Sequence, residues 1–267
     1  MCFGPSLLAS PSSARYLAEG YPCSAVVVLN PPESKRLIAK GVAALPSVKR
    51  ALVKGRIIIA TGTTNGFVAE EILGVSLDKE RYSRGIVAGG KLTTTPDEIP
   101  LSPYVVIDGK VVDLPFSQVL NDFDADDVFI KSANAVDPCG NVGVLMSDPQ
   151  GGTIGKALPV VVPRGAHLVV PVGLEKLIPS VMEASKRCGQ RRWKFSTGLG
   201  VGLMPIVNAE VVTEIHALAI LTGVEATHVA SGGTQGSEGA VVLSLEGTEE
   251  RVVKAFNLVI SIKNGIA

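Results

Sequence analysis

A β-branched run that breaks into small hydroxyl residues, and then into a helical pattern, leaves a chain few ways to fold. Arg56 is followed by Ile57, Ile58 and Ile59, and then by Ala60, Thr61, Gly62, Thr63, Thr64, Asn65 and Gly66. The isoleucine run predicts a short strand buried on both faces. Beyond the turn, Val68/Ile72 and Ala69/Leu73 fall at i,i+4, and Gly74 stands where a helix stop belongs. A strand, a tight turn and a helix start together form a cradle for an anion. The turn's N–H groups and the helix N-terminus favour negative charge, and threonine hydroxyls add donors. An ordinary strand-to-helix turn with threonine as N-cap is the plainer alternative, and spacing leaves both open.

The rest of the composition fits an α/β protein. The chain has 267 residues, 46% of them hydrophobic, with 29 glycines and only 4% aromatics. That implies aliphatic packing and tight turns, in one large domain or one medium and one small. Lys+Arg and Asp+Glu are both 25, so no global basic field is available to hold nucleic acid. The basic run from Lys186 and Arg187 to Lys194 reads as a solvated helix end. Cys2, Cys23, Cys139 and Cys188 are scattered, with no C-x-x-C pair and no His/Cys cluster. Neither a zinc site nor a thioredoxin-like site is therefore supported, and scattered thiols suit a reducing cytoplasm; no metal or cofactor is expected. The first 19 residues lack the basic and apolar regions of a signal peptide. No apolar run approaches the ~20 residues of a membrane span, so no membrane partner is expected.

Taken in order, residues 1–21 read as a loosely ordered lead and 24–29 as an extra strand. Residues 31–53 read as helix interrupted at Pro46. After the first strand and helix, 84–88 reads as a strand and 92–103 as a loop. Residues 104–107 and 110–113, split by Asp108 and Gly109, form a hairpin. Residues 116–123 predict a short helix and 127–130 another buried strand. Residues 151–163 are ambiguous, with Val160, Val161 and Val162 favouring strand. Residues 174–188 read as a surface helix stopped at Gly189, and the glycine-rich 197–202 as a hinge.

Two segments carry a family resemblance. Ile59 to Thr64 resembles the Gly-Thr-Gly-Ser-Thr turn of ribose-5-phosphate isomerases, within the group that includes glucosamine-phosphate deaminases and CoA transferases. Asp127 to Pro138 is similar to the isomerase segment Asp-x-x-Ile-Asp-Gly-Ala-Asp-Glu-Val-Asp-Pro. Downstream, Gly151, Gly152 and Thr153 fall where that family has its glycine-rich loop, and residues 165–170 where it has its next strand. The matches run in the family's order over roughly 32–172. The resemblance implies a mostly parallel open sheet with flanking helices over residues 1–196, and favours a helix from Thr153, bent at Pro159. It also implies a phosphorylated or CoA-linked metabolite as ligand.

The departures bear on activity. Two acidic positions of the family motif fall on Lys131 and Asn134, and Met146 to Gln150 replaces the family's lysine before the glycine loop. No carboxylate lies between Ile154 and Leu158, where the family has its general base. An aldose–ketose isomerase needs that base to move a proton between adjacent carbons, so the chain is not expected to be a competent ribose-5-phosphate isomerase. Lys131, ending a strand whose C-terminus should line the ligand crevice, is a catalytic candidate. Asp137, matching the motif's last aspartate, is the second, although with Pro138 it reads most simply as a turn. The ligand-binding candidates are Thr61, Gly62, Thr63, Thr64, Asn65, Asn134, Gly151, Gly152, Thr153 and Lys156. His167, His216 and His228 lack partners at ligand spacing.

Residues 197–267 read as β-α-β-β-α-β, the order of a small α+β ferredoxin-like domain, with 257–262 as its last strand. Three functions remain open: an enzyme built on Lys131, a non-catalytic sugar-phosphate sensor, or a homo-oligomeric assembly protein using the small domain.

Overall fold

The computed structural model describes residues 23–79, 81–95 and 102–265. The expected lead over 1–21 lies outside these, as do residues 96–101 of the expected loop. Strand β1 (Cys23–Leu29) leads into helix α1 (Pro31–Ala44) and, after a break at Leu45–Pro46, helix α2 (Pro46–Val53). Proline has no N–H to continue a helix but suits its first turn, so α1 ends where α2 begins. Strand β2 (Arg56–Ile59) then enters helix α3 (Thr63–Leu73). Gly74 stops α3 in the left-handed conformation with φ 66°, and its N–H donates to the Glu70 carbonyl at 2.9 Å.

Two hairpins follow. The first is β3 (Gly85–Ala88) with β4 (Lys91–Thr94), which adds a strand where the sequence pattern predicts loop. The second, β5 (Tyr104–Ile107) with β6 (Lys110–Val112), turns at Asp108 and Gly109, both at positive φ. That is the geometry a two-residue primed turn requires. After helix α4 (Phe116–Leu120) come β7 (Val128–Ile130), β8 (Ala135–Val136) and β9 (Val142–Met146). Helix α5 (Gly152–Arg164) follows, helical through the three valines and containing both Pro159 and Pro163. Strand β10 (His167–Pro171) is next. The expected 174–188 helix is split at Pro179 into a 3₁₀ turn, Leu174–Lys176, and helix α6 (Val181–Arg187).

The C-terminal segment differs from a ferredoxin-like unit. Strand β11 (Gly202–Ile206) pairs antiparallel with β9, whereas β12 (Glu210–Val212) joins the edge of the main sheet in parallel with β10. Helix α7 (Glu214–Thr222) and the antiparallel pair β13 (Glu225–Ser231) and β14 (Val241–Gly247) follow. Residues 257–262 are not a strand but the end of helix α8 (Glu249–Lys263). Val252, Ala255, Val259 and Ile262 are buried along one side of α8, a 3–4 spacing that only a helix places on one face. Strand β1 pairs with β14 instead, Leu29 opposite Val241 and Cys23 opposite Gly247.

The main sheet is mixed and mostly parallel, in the order β12-β10-β7-β2-β5-β6. Ile57 lies opposite Val128 and Ile59 opposite Ile130 in parallel register. Its faces divide by strand alternation. Ile57, Ile59, Val128 and Ile130 share a core with α1, α3, α7, α8 and β14. Ile58, Phe129, Leu168 and Val170 pack against Ile154, Ala157 and Val161 of α5 on the other face. Ile58 is fully buried, and truncating it to alanine would cost about 2–5 kcal/mol. Described apolar residues after 196 join these same cores rather than forming a separate one. Gly41 of α1 shows how closely the segments meet, since a Cβ there would lie 2.7 Å from that of Ala217 on α7.

Candidate functional site

Parallel strands deliver their C-terminal ends, and the loops after them, to one edge of the sheet. Here β2 and β7 end side by side, with Ala60 N–H donating to the Ile130 carbonyl at 3.0 Å. Beyond them opens a cavity of about 580 Å³, whose lining includes residues from four loop and helix-start segments, with Val144 to Asp148, Pro103, Phe116 and Lys176 completing it. Thr61, Gly62 and Thr63 come from the turn after β2. Lys131, Ser132, Ala133 and Asn134 follow β7. Gly151, Gly152, Thr153 and Lys156 come from the start of α5, and Ser83, Arg84, Gly85 and Thr94 from the β3–β4 hairpin.

Gly62 N-caps α3, and its carbonyl receives the helix's first bond from Gly66 N–H at 2.8 Å. Helix geometry leaves the N–H groups of Thr63, Thr64 and Asn65 without an acceptor inside α3. A Cβ on Gly62 would come 2.5 Å from the Ser132 hydroxyl oxygen. The turn and the segment after β7 are thus packed with no room for a side chain. Helix α5 begins similarly, with Gly151 and Gly152 both at positive φ and Gly155 N–H donating to the Gly151 carbonyl at 2.9 Å. Two helix N-termini therefore face one cavity.

Lys131 sits between them. Its Nζ donates to the Thr61 carbonyl at 3.1 Å, and among the described residues no carboxylate pairs with it. Burial, and then repulsion from the Lys176 ammonium, pull its pKa down to about 8. Lys176 belongs to the 3₁₀ turn and also lines the cavity, donating to the Ala133 carbonyl at 3.2 Å. Among the described residues, the lining holds Arg84, Lys131, Lys156 and Lys176 and one carboxylate, Asp148. Asp148 accepts from Gln150 N–H at 2.7 Å and its carbonyl from Gly151 N–H at 3.1 Å, so it shapes the turn into α5.

Three sequence-derived site residues sit elsewhere. Asn65 is fully buried and its Nδ2 donates to the Ala60 carbonyl at 2.6 Å and to that of Ile130 at 3.4 Å. It clamps the ends of β2 and β7 together rather than facing the cavity. Thr64 is buried beside it and does not line the cavity. Asp137 is not a cavity residue either. Its carboxylate accepts from the N–H groups of Cys139 and Asn141 at 3.0 Å and of Val181 at 2.9 Å. It ties the 137–141 turn to the start of α6, which fits the turn reading over the catalytic one. Asn134 does line the cavity, and its Oδ1 accepts from Leu145 N–H at 3.0 Å. Lys156 lies with its Nζ 6.0 Å from the centre of the Phe116 ring.

Arg84 and Lys176 were not legible as site residues. Tyr82 explains how Arg84 arrives. Its hydroxyl donates to the Ile59 carbonyl at 2.9 Å, and its carbonyl accepts from Gly62 N–H at 2.7 Å. Burial holds the phenol well above its ordinary pKa, so it stays a neutral donor. This fastens the root of the β3–β4 hairpin to the Gly62 turn.

No group of three or more His, Cys, Asp or Glu among the described residues is placed to hold a metal ion. No described helix is long and apolar enough to cross a membrane. No family model matches the chain, and no curated protein and no solved structure matches it. Fold and site define a mixed α/β protein with a basic, glycine-walled cavity at the C-terminal ends of its parallel strands.

Proposed function

We propose that this cavity binds a small phosphorylated or CoA-linked metabolite and that Lys131 is the group positioned to act on it. The reading rests on one observation: among the described residues, two helix N-termini and four basic side chains line a cavity in which Asp148 is the one lining carboxylate. Partial positive charge at the helix ends and full charge on the side chains both favour an anion. The likeness of the two motifs to the ribose-5-phosphate isomerase group supports the same ligand class. The missing general base separates the chain from that group's isomerase reaction. A sensor that binds without turnover is the alternative, favoured by the same absence.

Calorimetry with sugar phosphates, inorganic phosphate and CoA tests the reading. A charged hydrogen bond contributes ~1.5–3 kcal/mol, so Lys131→Met is expected to weaken binding roughly ten- to a hundredfold. Equal binding by folded wild type and variant would place the site elsewhere. For self-association, Val26 and Val28 on the outer face of β1 are 63% and 43% exposed. We propose this apolar pair as the surface on which copies of the chain would meet. Light scattering of Val26→Asp beside wild type tests that, since an unchanged oligomer would exclude this face.

A further inference from the structure

The Lys131 ammonium is placed as few lysines are. It lines the cavity, touches a backbone carbonyl rather than a carboxylate, and has a second ammonium, that of Lys176, close enough to repel it. A lysine kept only to attract an anion works best fully protonated and needs no such neighbour. A lysine that must present a lone pair benefits from enclosure and from a nearby cation.

We infer that Lys131 forms an imine with the carbonyl carbon of a short phosphorylated aldehyde or ketone, whose phosphate is held by the opening turns of α3 and α5. The inference rests on the anion-binding reading above for the phosphate, and on Lys131 itself for the covalent step. The neutral amine adds to the carbonyl carbon and gives a carbinolamine. The carbonyl oxygen takes up protons and leaves as water, and a protonated imine remains. No oxidant or reductant is consumed. Lowering the pKa from 10.5 to about 8 leaves about two orders of magnitude more free amine near neutral pH than a solvated lysine has.

Neighbouring residues suit these steps. Thr61 accepts from Lys131 through its carbonyl, which aims the amine without neutralising its charge. Lys176 donates to the Ala133 carbonyl at 3.2 Å and lies 3.8 Å from the Glu175 carboxylate, contacts that hold its side chain near Lys131. The cavity, about 580 Å³, is ample for a few-carbon phosphate ester. No carboxylate follows Gly152 in the first turns of α5, so the site provides an electron sink at Lys131 more plainly than it provides a base.

The test is reductive trapping of the full chain with glycolaldehyde phosphate and cyanoborohydride, followed by peptide mapping. Unphosphorylated glycolaldehyde is run beside it, and calorimetry with inorganic phosphate is run separately. Lys131 is expected to carry the first adduct, roughly tenfold faster than any other lysine, given its larger free-amine fraction. Inorganic phosphate should protect it. Lys131→Arg should lose that adduct while still binding phosphate, which shows that the variant folds. Lys176→Met should shift the pH dependence of trapping upward. Phosphate binding with adducts spread over surface lysines would overturn the imine and leave the anion reading intact. Trapping at Lys131 that ignores phosphate, in a protein that does not bind phosphate, would overturn the phosphorylated class and the anion reading while leaving the nucleophile. Failure of both overturns both.

Discussion

Lys131 Nζ lies 3.1 Å from the carbonyl oxygen of Thr61, so the residue that ends one parallel strand is bound to the turn that ends its neighbour. That contact joins the two motifs of the sequence across the sheet. It also holds a half-buried cation beside a backbone carbonyl and another cation, an arrangement that works against stability. Its consequences can be measured.

Replacing Lys131 by methionine is expected to stabilise the protein at pH 7 even as it weakens anion binding. The folded pKa, about 8, lies below the unfolded value near 10.5, so between them the unfolded chain holds more protons and stability rises with pH. Below pH 8 the half-buried charge costs stability, on the order of a few kcal/mol at most. Thermal melts from pH 7 to 10 check this: the advantage of Lys131→Met should shrink as pH rises. A variant less stable than wild type at pH 7 would refute it.

Glu214 carries the opposite dependence. It is fully buried, accepts from Leu174 N–H at 3.0 Å, and is pushed up to about pKa 7 by burial and by Glu175. Its folded pKa is raised, so the folded state keeps a proton that the unfolded chain loses above about 4.5. Its contribution is therefore full below that value and is lost as pH climbs to 7. His216, lowered by burial, works the other way, so wild type must be compared with Glu214→Gln. The variant is expected to gain on wild type by on the order of 1–3 kcal/mol between pH 5 and 7.5. Parallel curves over that range would show that Glu214 does not titrate there.

Gly62→Ala should loosen the turn, because its Cβ would stand 2.5 Å from Ser132 Oγ. Overpacking of this kind costs about 1–3 kcal/mol, less if the hydroxyl can rotate away. Ser132→Ala removes the clashing oxygen, so the double variant should recover part of the loss in urea denaturation. No recovery would assign the cost to the backbone of the turn.

Purified protein should not interconvert ribose 5-phosphate and ribulose 5-phosphate above background. On the family resemblance, Lys131 and Asn134 fall on the acidic positions of the isomerase motif; Asp148, the one carboxylate among the described cavity-lining residues, is engaged at the turn into α5. A coupled assay showing turnover would mean that another group serves as the base.

Local chemistry in the sequence was enough for the strand–turn–helix at 56–74 and the primed hairpin at Asp108 and Gly109. Each depends on neighbours a few residues apart: a buried β-branched run, positive φ at a two-residue turn, a glycine stop. Thr61, Gly62 and Thr63 were legible for the same reason, as a glycine and hydroxyls at a helix start, whereas Gly151, Gly152 and Thr153 were pointed to by the family resemblance. The parallel pairing of β2 with β7 joins residues about 70 apart and was an expectation of that resemblance, not of a local signal. Only the tertiary structure decided the rest. Strand β1 pairs with β14 from the far end of the chain, and long-range pairing leaves no local signature. Residues 257–262 are helical because their apolar side meets the shared core, although β-branched residues among them favour strand. Arg84 and Lys176 reach the cavity through a hairpin root and a 3₁₀ turn, and Asp137 is turned away from it by the four N–H groups and amides that its carboxylate satisfies. Charge and glycine are written residue by residue, but which charges meet depends on how separate segments pack.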